Sequence, residues 1–192
     1  LASKRQKFFL SRPRRFGKSL LLSTFESLFK YGLRDFYGLE IESLWKDEKT
    51  AKSQKRSLIP YVDIMKISDE ETELLTGKVS PEEAAETLFQ KGVQIAIVTL
   101  GSEGAYLYCR EGGAQIPGFV SKVMDTNGAG DSFWGGFLYC ISKADKSLEQ
   151  FTMDELKEYV RFGNAVASLC VEKKGAIPAM PTLAEVKERM ER

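Results

Sequence analysis

The sequence contains no histidine and only three cysteines among its 192 residues. The lack of histidine excludes Ser-His-Asp and Cys-His nucleophilic schemes and the usual zinc ligand sets. Cys109, Cys140 and Cys170 are widely spaced, and each lies in an apolar stretch. We therefore expect reduced core thiols in a cytoplasmic protein, without a disulfide framework or a cysteine metal site.

Long apolar segments are also missing. No run reaches the ~18 apolar residues that suggest a membrane-spanning helix. The first residues, Leu1 and Ala2, lead directly into charged positions without the pattern of a signal peptide. We expect no membrane partner, whereas a hydrophobic fraction of 43% is sufficient for a buried core in one or two domains.

Charge is almost balanced over the whole chain, with a net value of +1, but it is distributed unevenly. Residues 1–56 carry 14 Lys and Arg against 6 Asp and Glu, and the remaining residues carry 14 against 21. Such asymmetry indicates either a basic tail or two pieces of different origin.

The most informative stretch is residues 125–133, which read Asp-Thr-Asn-Gly-Ala-Gly-Asp-Ser-Phe. The order predicts a strand, a tight turn and a helix start. Glycines allow close approach of a ligand, and the first-turn N–H groups and dipole of a helix favour an anion. Asp131, in that turn, can take a proton from a hydroxyl that attacks the anion, which is the minimum equipment for phosphoryl transfer. Taken alone, Gly-x-Gly-Asp also fits a plain turn with an N-capping aspartate.

The nine residues together resemble the signature of the ribokinase-like (PfkB-family) carbohydrate kinases, and among them the fructokinases most. The resemblance implies that the amides of Gly128, Ala129 and Gly130 form an anion hole for the transferred phosphate and that Asp131 is the general base. It also implies ATP and Mg²⁺ as cofactors, with K⁺ as a further cation, and a fructose-like hexose as substrate. The implied fold is α/β, a partial ribokinase-like fold with a mostly parallel sheet and helices on both faces.

Ser68 and Glu71 form a capping-box pattern at the start of a predicted helix. In the family, an Asn-x-x-Glu element at this place brings a glutamate near the Mg²⁺–phosphate cluster. Both interpretations stay open at this point. The resemblance implies three metal-binding residues: Glu71, Asp125 and Asn127.

A continuous apolar run, Gln94–Leu100, predicts a buried strand. The Thr-Leu-Gly-x-x-Gly segment at its end resembles the nucleotide-contacting turn of the family, and the loop Lys174–Pro178 resembles the one that closes over the base and helps to form a monovalent-cation site. The nucleotide-binding residues implied by the resemblance are Thr99, Gly101, Gly104, Asn164 and Gly175.

An arginine-rich loop ending in Gly-Lys-Ser lies between a short apolar run and a helix candidate, Leu20–Lys30. In a phosphate-binding loop of this kind, Lys18 reaches the β- and γ-phosphates and the Ser19 hydroxyl binds Mg²⁺. Residues 9–24 resemble the start of a family of predicted AAA-type ATPases, although Arg12 replaces the usual first glycine and no second Walker element follows. One alternative is a solvated basic loop. A second is a nucleic-acid contact, which we do not expect because no aromatic residue is interleaved with the arginines.

We therefore expect two pieces: residues 1–43, an ATPase-like fragment, and residues 44–192, the C-terminal nucleotide-binding half of a carbohydrate kinase. Three functions remain open: a sugar kinase, a module related to P-loop ATPases, and a non-catalytic ATP-binding relic. The family's sugar-pocket half is not recognisable in the sequence. We expect an uncovered sheet edge that favours self-association, and sugar-kinase turnover near background.

Overall fold

The computed structural model describes residues 56–191, so the predicted ATPase-like fragment with Lys18 and Ser19 lies outside the described residues. The strands are β1 (Ile64–Ser68), β2 (Ile95–Thr99), β3 (Ala105–Cys109) and β4 (Gly112–Ile116). The α-helices are α1 (Thr72–Thr76), α2 (Pro81–Gln90), α3 (Ala129–Lys143), α4 (Met153–Cys170) and α5 (Leu183–Met190).

The strands form one sheet in the order β1-β2-β3-β4. Strands β1 and β2 are parallel, and their last residues, Ser68 and Thr99, lie opposite each other. The other two pairs are antiparallel. The α/β class is confirmed, but this part of the sheet is mixed instead of mostly parallel. The reason is the short turn Gly101–Gly104, since a few residues can only reverse the chain, whereas a parallel crossover needs a dozen or more.

Strand β2 is buried on both faces, as its continuous apolar run predicts. Ile95 and Ile97 pack in one core cluster with aromatic residues of α3 such as Phe137. Val98 packs in a second cluster with Leu88 of α2. Because neighbouring side chains of a strand point to opposite faces, the two clusters place helices on both sides of the sheet, which confirms the predicted layering.

Helices α3 and α4 pack closely at two glycines. A Cβ added at Gly136 would lie 3.3 Å from Cα of Gly163, and one added at Gly163 would lie 2.9 Å from Cε2 of Phe133. Because Phe133 and Phe137 are both buried against the sheet, the first turns of α3 are held in place from two sides. This packing positions the helix start that the sequence marks as an anion site.

Three of the helices begin at an N-cap side chain. The hydroxyls of Ser80, Thr152 and Thr182 accept hydrogen bonds from the backbone N–H three residues later. All three cysteines are free thiols. Within residues 56–191, no helix combines the length and the apolar character that crossing a membrane requires.

Candidate active site

The carboxyl ends of β1 and β2 lie at one edge of the sheet, which is where ligands bind in open α/β sheets. The Glu71 carboxylate is held at this edge because it accepts hydrogen bonds from the Ser68 N–H at 3.0 Å and from the Ser68 hydroxyl at 3.3 Å. The Thr99 hydroxyl donates to the Ile67 carbonyl at 3.3 Å. The capping role of Glu71 is therefore confirmed, and the same contacts fix where its carboxylate lies.

The Gly-Ala-Gly turn begins helix α3, as predicted. Gly128 is the N-cap residue with a φ of 81°, and the helix starts at Ala129. Asp131 lies in the first turn of the helix and is exposed. A left-handed φ is costly for any residue with a side chain, so the turn depends on glycine at position 128.

The segment that precedes this turn, around Met124 and Asp125, does not form the predicted strand. The N–H groups of Met124 and Asp125 instead donate to the Val171 carbonyl at 2.8 and 3.2 Å. This carbonyl belongs to the C-cap residue of α4 and has no partner inside the helix. The backbone N–H groups of this segment are therefore satisfied by the end of α4, and they need no neighbouring strand as a hydrogen-bond partner.

Asp125 joins the turn to the loop around Gly175. Its Oδ1 accepts from the Asn127 N–H at 3.0 Å, and its Oδ2 accepts from the Gly175 N–H at 2.9 Å. These two amides, that of Asn127 first, lower the pKa of the Asp125 carboxyl. The loops also touch directly, since a Cβ added at Gly128 would lie 2.6 Å from Cβ of Ala176. The Gly-Ala-Gly turn is thus closed on one side by residues 175–176.

Lys66 is a site residue that the sequence reasoning missed. A methyl group added at Gly130 would lie 3.0 Å from Nζ of Lys66, so the ammonium group lies directly beside the turn. The side chain is half-buried in the middle of β1. The signal for Lys66 in the sequence is that it is the only charged residue in an otherwise mostly apolar strand, Ile64–Ser68. From the sequence alone, this charge was not interpreted as part of a site.

Two of the predicted nucleotide-contacting residues, Gly104 and Asn164, lie elsewhere, at the end of β4. Gly104 has a φ of 97°, and a Cβ added there would lie 2.2 Å from the Ile116 carbonyl oxygen. Asn164 is 6% exposed, and its Nδ2 donates to the carbonyls of Ile116 at 3.3 Å and Pro117 at 3.1 Å. Both residues therefore have packing roles, and contact with a nucleotide stays a prediction for them. The same holds for Thr99 and for Gly101, which begins the turn with a φ of 57°.

The metal-binding prediction for Glu71, Asp125 and Asn127 is not decided by this arrangement. Within residues 56–191, no group of three His, Cys, Asp or Glu side chains converges as a metal cluster. Mg²⁺ in phosphate-transfer sites is commonly bound by one or two carboxylates together with substrate phosphates, so a complete protein cage is not required. The two carboxylates are held in place by backbone N–H groups, as described above.

A mixed sheet with helices on both faces and a Gly-Ala-Gly-Asp helix start defines an α/β protein of the ribokinase-like class. The family model of the pfkB carbohydrate kinases matches residues 36–183, and the chain belongs to this family. Fructokinase-1 of Zea mays is 38% identical over 152 residues, which cover 79% of this chain and 46% of the relative.

Solved structures agree with this assignment. The fructokinase of Vibrio cholerae O395, in its form with fructose, ADP and calcium ion bound, is 29% identical with a TM-score of 0.69, over 78% of this chain and 47% of that one. The fructokinase of Xylella fastidiosa with bound ATP is 29% identical with a TM-score of 0.62, over 73% and 46%. The chain thus spans slightly less than half the length of these relatives. The resemblance to ribokinase-like kinases is confirmed, whereas the ATPase-like interpretation of the N-terminal piece stays a prediction.

Proposed function

We propose that this chain binds ATP with its terminal phosphate at the turn Gly128–Gly130 and phosphorylates a hydroxyl of a fructose-like hexose. The observation that carries the proposal is the helix start itself. The first-turn amides of α3 have no partners within the helix, and that of Ala129 donates to a nearby carbonyl, that of Thr126 at 3.2 Å. Glycine at position 130 leaves room for Lys66, whose ammonium adds a cation. Backbone donors and positive charge fit a phosphate group. The relatives named fructokinase support a hexose as acceptor.

Each residue then has a defined part in the transfer. The Asp131 carboxylate accepts the proton of the sugar hydroxyl while that oxygen forms a bond to the γ-phosphorus and the bond from this phosphorus to its bridging oxygen breaks. The amides of Gly128, Ala129 and Gly130 donate to the phosphoryl oxygens, and the dipole of α3 stabilises their charge. ATP would supply the phosphoryl group, and Mg²⁺, when bound, would offset the negative charge of the phosphates.

We assign Mg²⁺ to the side of the site that carries Glu71, Asp125 and Asn127, and K⁺ to the neighbouring loop Lys174–Pro178. The support is that Glu71 is held at the carboxyl end of β1 and that the lowered pKa keeps Asp125 anionic at neutral pH. Gly175 connects the two places through its N–H bond to Asp125. Asp125 therefore couples the cation loop to the phosphate turn.

We assign the adenosine part to the residues that meet near the end of β4. Gly101 and Gly104 bound the turn after β2, and Asn164 lies on α4 against Ile116. Thr99, the last residue of β2, leads into this turn. That Gly104 and Asn164 contact the same short segment supports treating these residues as one subsite.

Titration calorimetry on the full chain, with ATP and Mg²⁺ as ligand, tests the proposal. We expect binding that Gly128→Ala weakens about tenfold or more, because the added Cβ strains the backbone and meets Ala176; each tenfold change corresponds to ~1.4 kcal/mol. Lys18→Ala removes the lysine of the other candidate loop and should leave affinity unchanged. Loss of binding in Lys18→Ala with no effect of Gly128→Ala would instead support the P-loop ATPase alternative. Binding without any phosphate transfer to hexoses would support the non-catalytic alternative.

Self-association is a further part of the proposal. Within residues 56–191, the outer edge of β1 has no strand partner. An open edge with unpaired N–H and C=O groups favours pairing with another chain. Sedimentation velocity over a range of concentrations should show oligomers, and a monomer at every concentration would contradict this part.

A further inference from the structure

We propose that Lys66 is a phosphate-binding residue of this site and that its ammonium group contacts the phosphoryl group held by the turn Gly128–Gly130. The inference rests on the proposed function and extends it by a side chain on a different element. It assigns the contact to the terminal phosphate, because the ammonium lies beside Gly130, in the turn to which the proposed function assigns that phosphate.

The geometry follows from the alternation of side chains in β1. Ile64 packs against the core cluster formed with α3 and α4, and Ile67 lies in the cluster on the opposite face. Lys66, two residues after Ile64, therefore points to the α3 side. It also lies two residues before the carboxyl end of the strand, and its Nζ reaches Gly130 in the first turn of α3.

The electrostatics favour an anion between these groups. The N-terminus of a helix carries a partial positive charge, so a lysine placed there alone is unfavourable. Across residues 56–191, no carboxylate lies within ion-pair distance of the Lys66 ammonium. A phosphate held by the turn would accept hydrogen bonds from the amides and from the ammonium at the same time. The half-buried position of Lys66 reduces the screening of this attraction by water.

Gly130 provides the space for this contact. A side chain at position 130 would begin 3.0 Å from Nζ and 4.0 Å from Cε of Lys66, so even a methyl group would push the end of the lysine away. Gly130→Ala should therefore weaken phosphate binding in part by displacing Lys66. The effect of Gly130→Ala on ATP affinity should therefore depend on Lys66, which a purely structural role for Lys66 would not produce.

The test is calorimetry on the full chain with ATP and with ADP as separate ligands. Lys66→Met should weaken ATP binding by about 10- to 100-fold, the range expected for a lost charged hydrogen bond, and ADP binding much less. Lys66→Arg should retain part of the preference for ATP. Lys143→Met is the matched control, since it removes the same charge near the opposite end of α3 and should change neither affinity.

A double-mutant cycle sharpens the result. In the Lys66→Met background, Gly130→Ala should cost less ATP affinity than it does in the wild type. If wild type prefers ATP and Lys66→Met keeps that preference, the inference is wrong and the proposed function stands. If wild type binds neither nucleotide, both are wrong. Should Lys66→Met fail to fold by circular dichroism, Lys66→Gln provides the same measurement, with the same two outcomes.

Discussion

Two glycine turns in this molecule, Gly101–Gly104 and Gly128–Asp131, use the same residue type for different reasons. At Gly104 the missing side chain makes room for backbone, since a Cβ would meet the Ile116 carbonyl oxygen at 2.2 Å and the Gly118 nitrogen at 2.4 Å. At Gly130 it makes room beside the ammonium of Lys66. The first turn is filled by the protein itself, whereas the second borders helix amides and a cation.

This difference teaches that a glycine in a tight turn does not by itself identify a ligand site. A ligand site is identified by the atoms that border the space where the side chain is missing. Backbone atoms that close the space indicate packing, whereas the amides of a helix start together with a positive side chain indicate an anion. The comparison can be broken or sharpened by substitutions that act on one turn and spare the other.

The largest expected effect belongs to Asp131→Ala. If the full chain transfers phosphate from ATP to a hexose at a measurable rate, this change should lower the rate by about 10²- to 10⁴-fold, because it removes the general base. ATP affinity should stay nearly intact, since backbone amides form the anion hole. Coupled-assay kinetics and calorimetry together measure the two quantities. Unchanged turnover would refute the assigned role of Asp131.

The second prediction uses stability to test whether Gly104 has a packing role in the first turn. Gly104→Ala should destabilise the fold by about 3 kcal/mol, because it combines left-handed strain with an overlap against backbone that cannot move easily. Gly101→Ala is the matched control, since its φ is 57° but no atom lies within 4 Å of an added Cβ. It should cost only about 1–2 kcal/mol. Urea unfolding measures both, and equal losses would contradict the packing role of Gly104.

The third and smallest effect concerns pH and the phosphate turn. The folded pKa of Asp125 is lowered, so the stability contributed by its carboxylate is present above the unfolded value of about 3.9 and is lost as the pH falls through the folded pKa. Asp125→Asn should therefore lose more stability against wild type at pH 7 than at pH 3. Glu155→Gln is the control, because Glu155 also has a lowered pKa, of about 2, but belongs to the capping box of α4 and not to the Gly128 turn.

Denaturant unfolding at the two pH values would decide this point. The Asp125→Asn variant should also loosen the contact between the turn and Gly175, whereas Glu155→Gln should leave that region unchanged, as hydrogen exchange can show. An equal loss of stability at pH 7 and pH 3 for Asp125→Asn would mean that its carboxylate is not held by the Asn127 and Gly175 amides.

Local chemistry was well predicted from the sequence. The capping box of Ser68 and Glu71 and the helix start at Gly128 depend on residues close together in the chain. The buried strand over Ile95–Thr99 follows from its own apolar run. The mixed sheet was not predicted, although the short turn after β2 contained the information.

Contacts between distant segments were out of reach. Gly130 and Lys66 are adjacent only because α3 packs on the face of the sheet to which Ile64 and Lys66 of β1 point. The bond between Asp125 and Gly175 likewise joins residues 50 positions apart. Asn164 was assigned to the nucleotide by resemblance, and only the fold reveals that its amide holds the end of β4.

The most direct test of the account is amide NMR of the full chain during titration with inorganic tripolyphosphate, a probe that has phosphates but no base. The account predicts shifts at the amides of Gly128, Ala129, Gly130 and Asp131, with none at Gly101 and Gly104. Shifts at the Gly101–Gly104 turn with none at Gly128–Asp131 would contradict it.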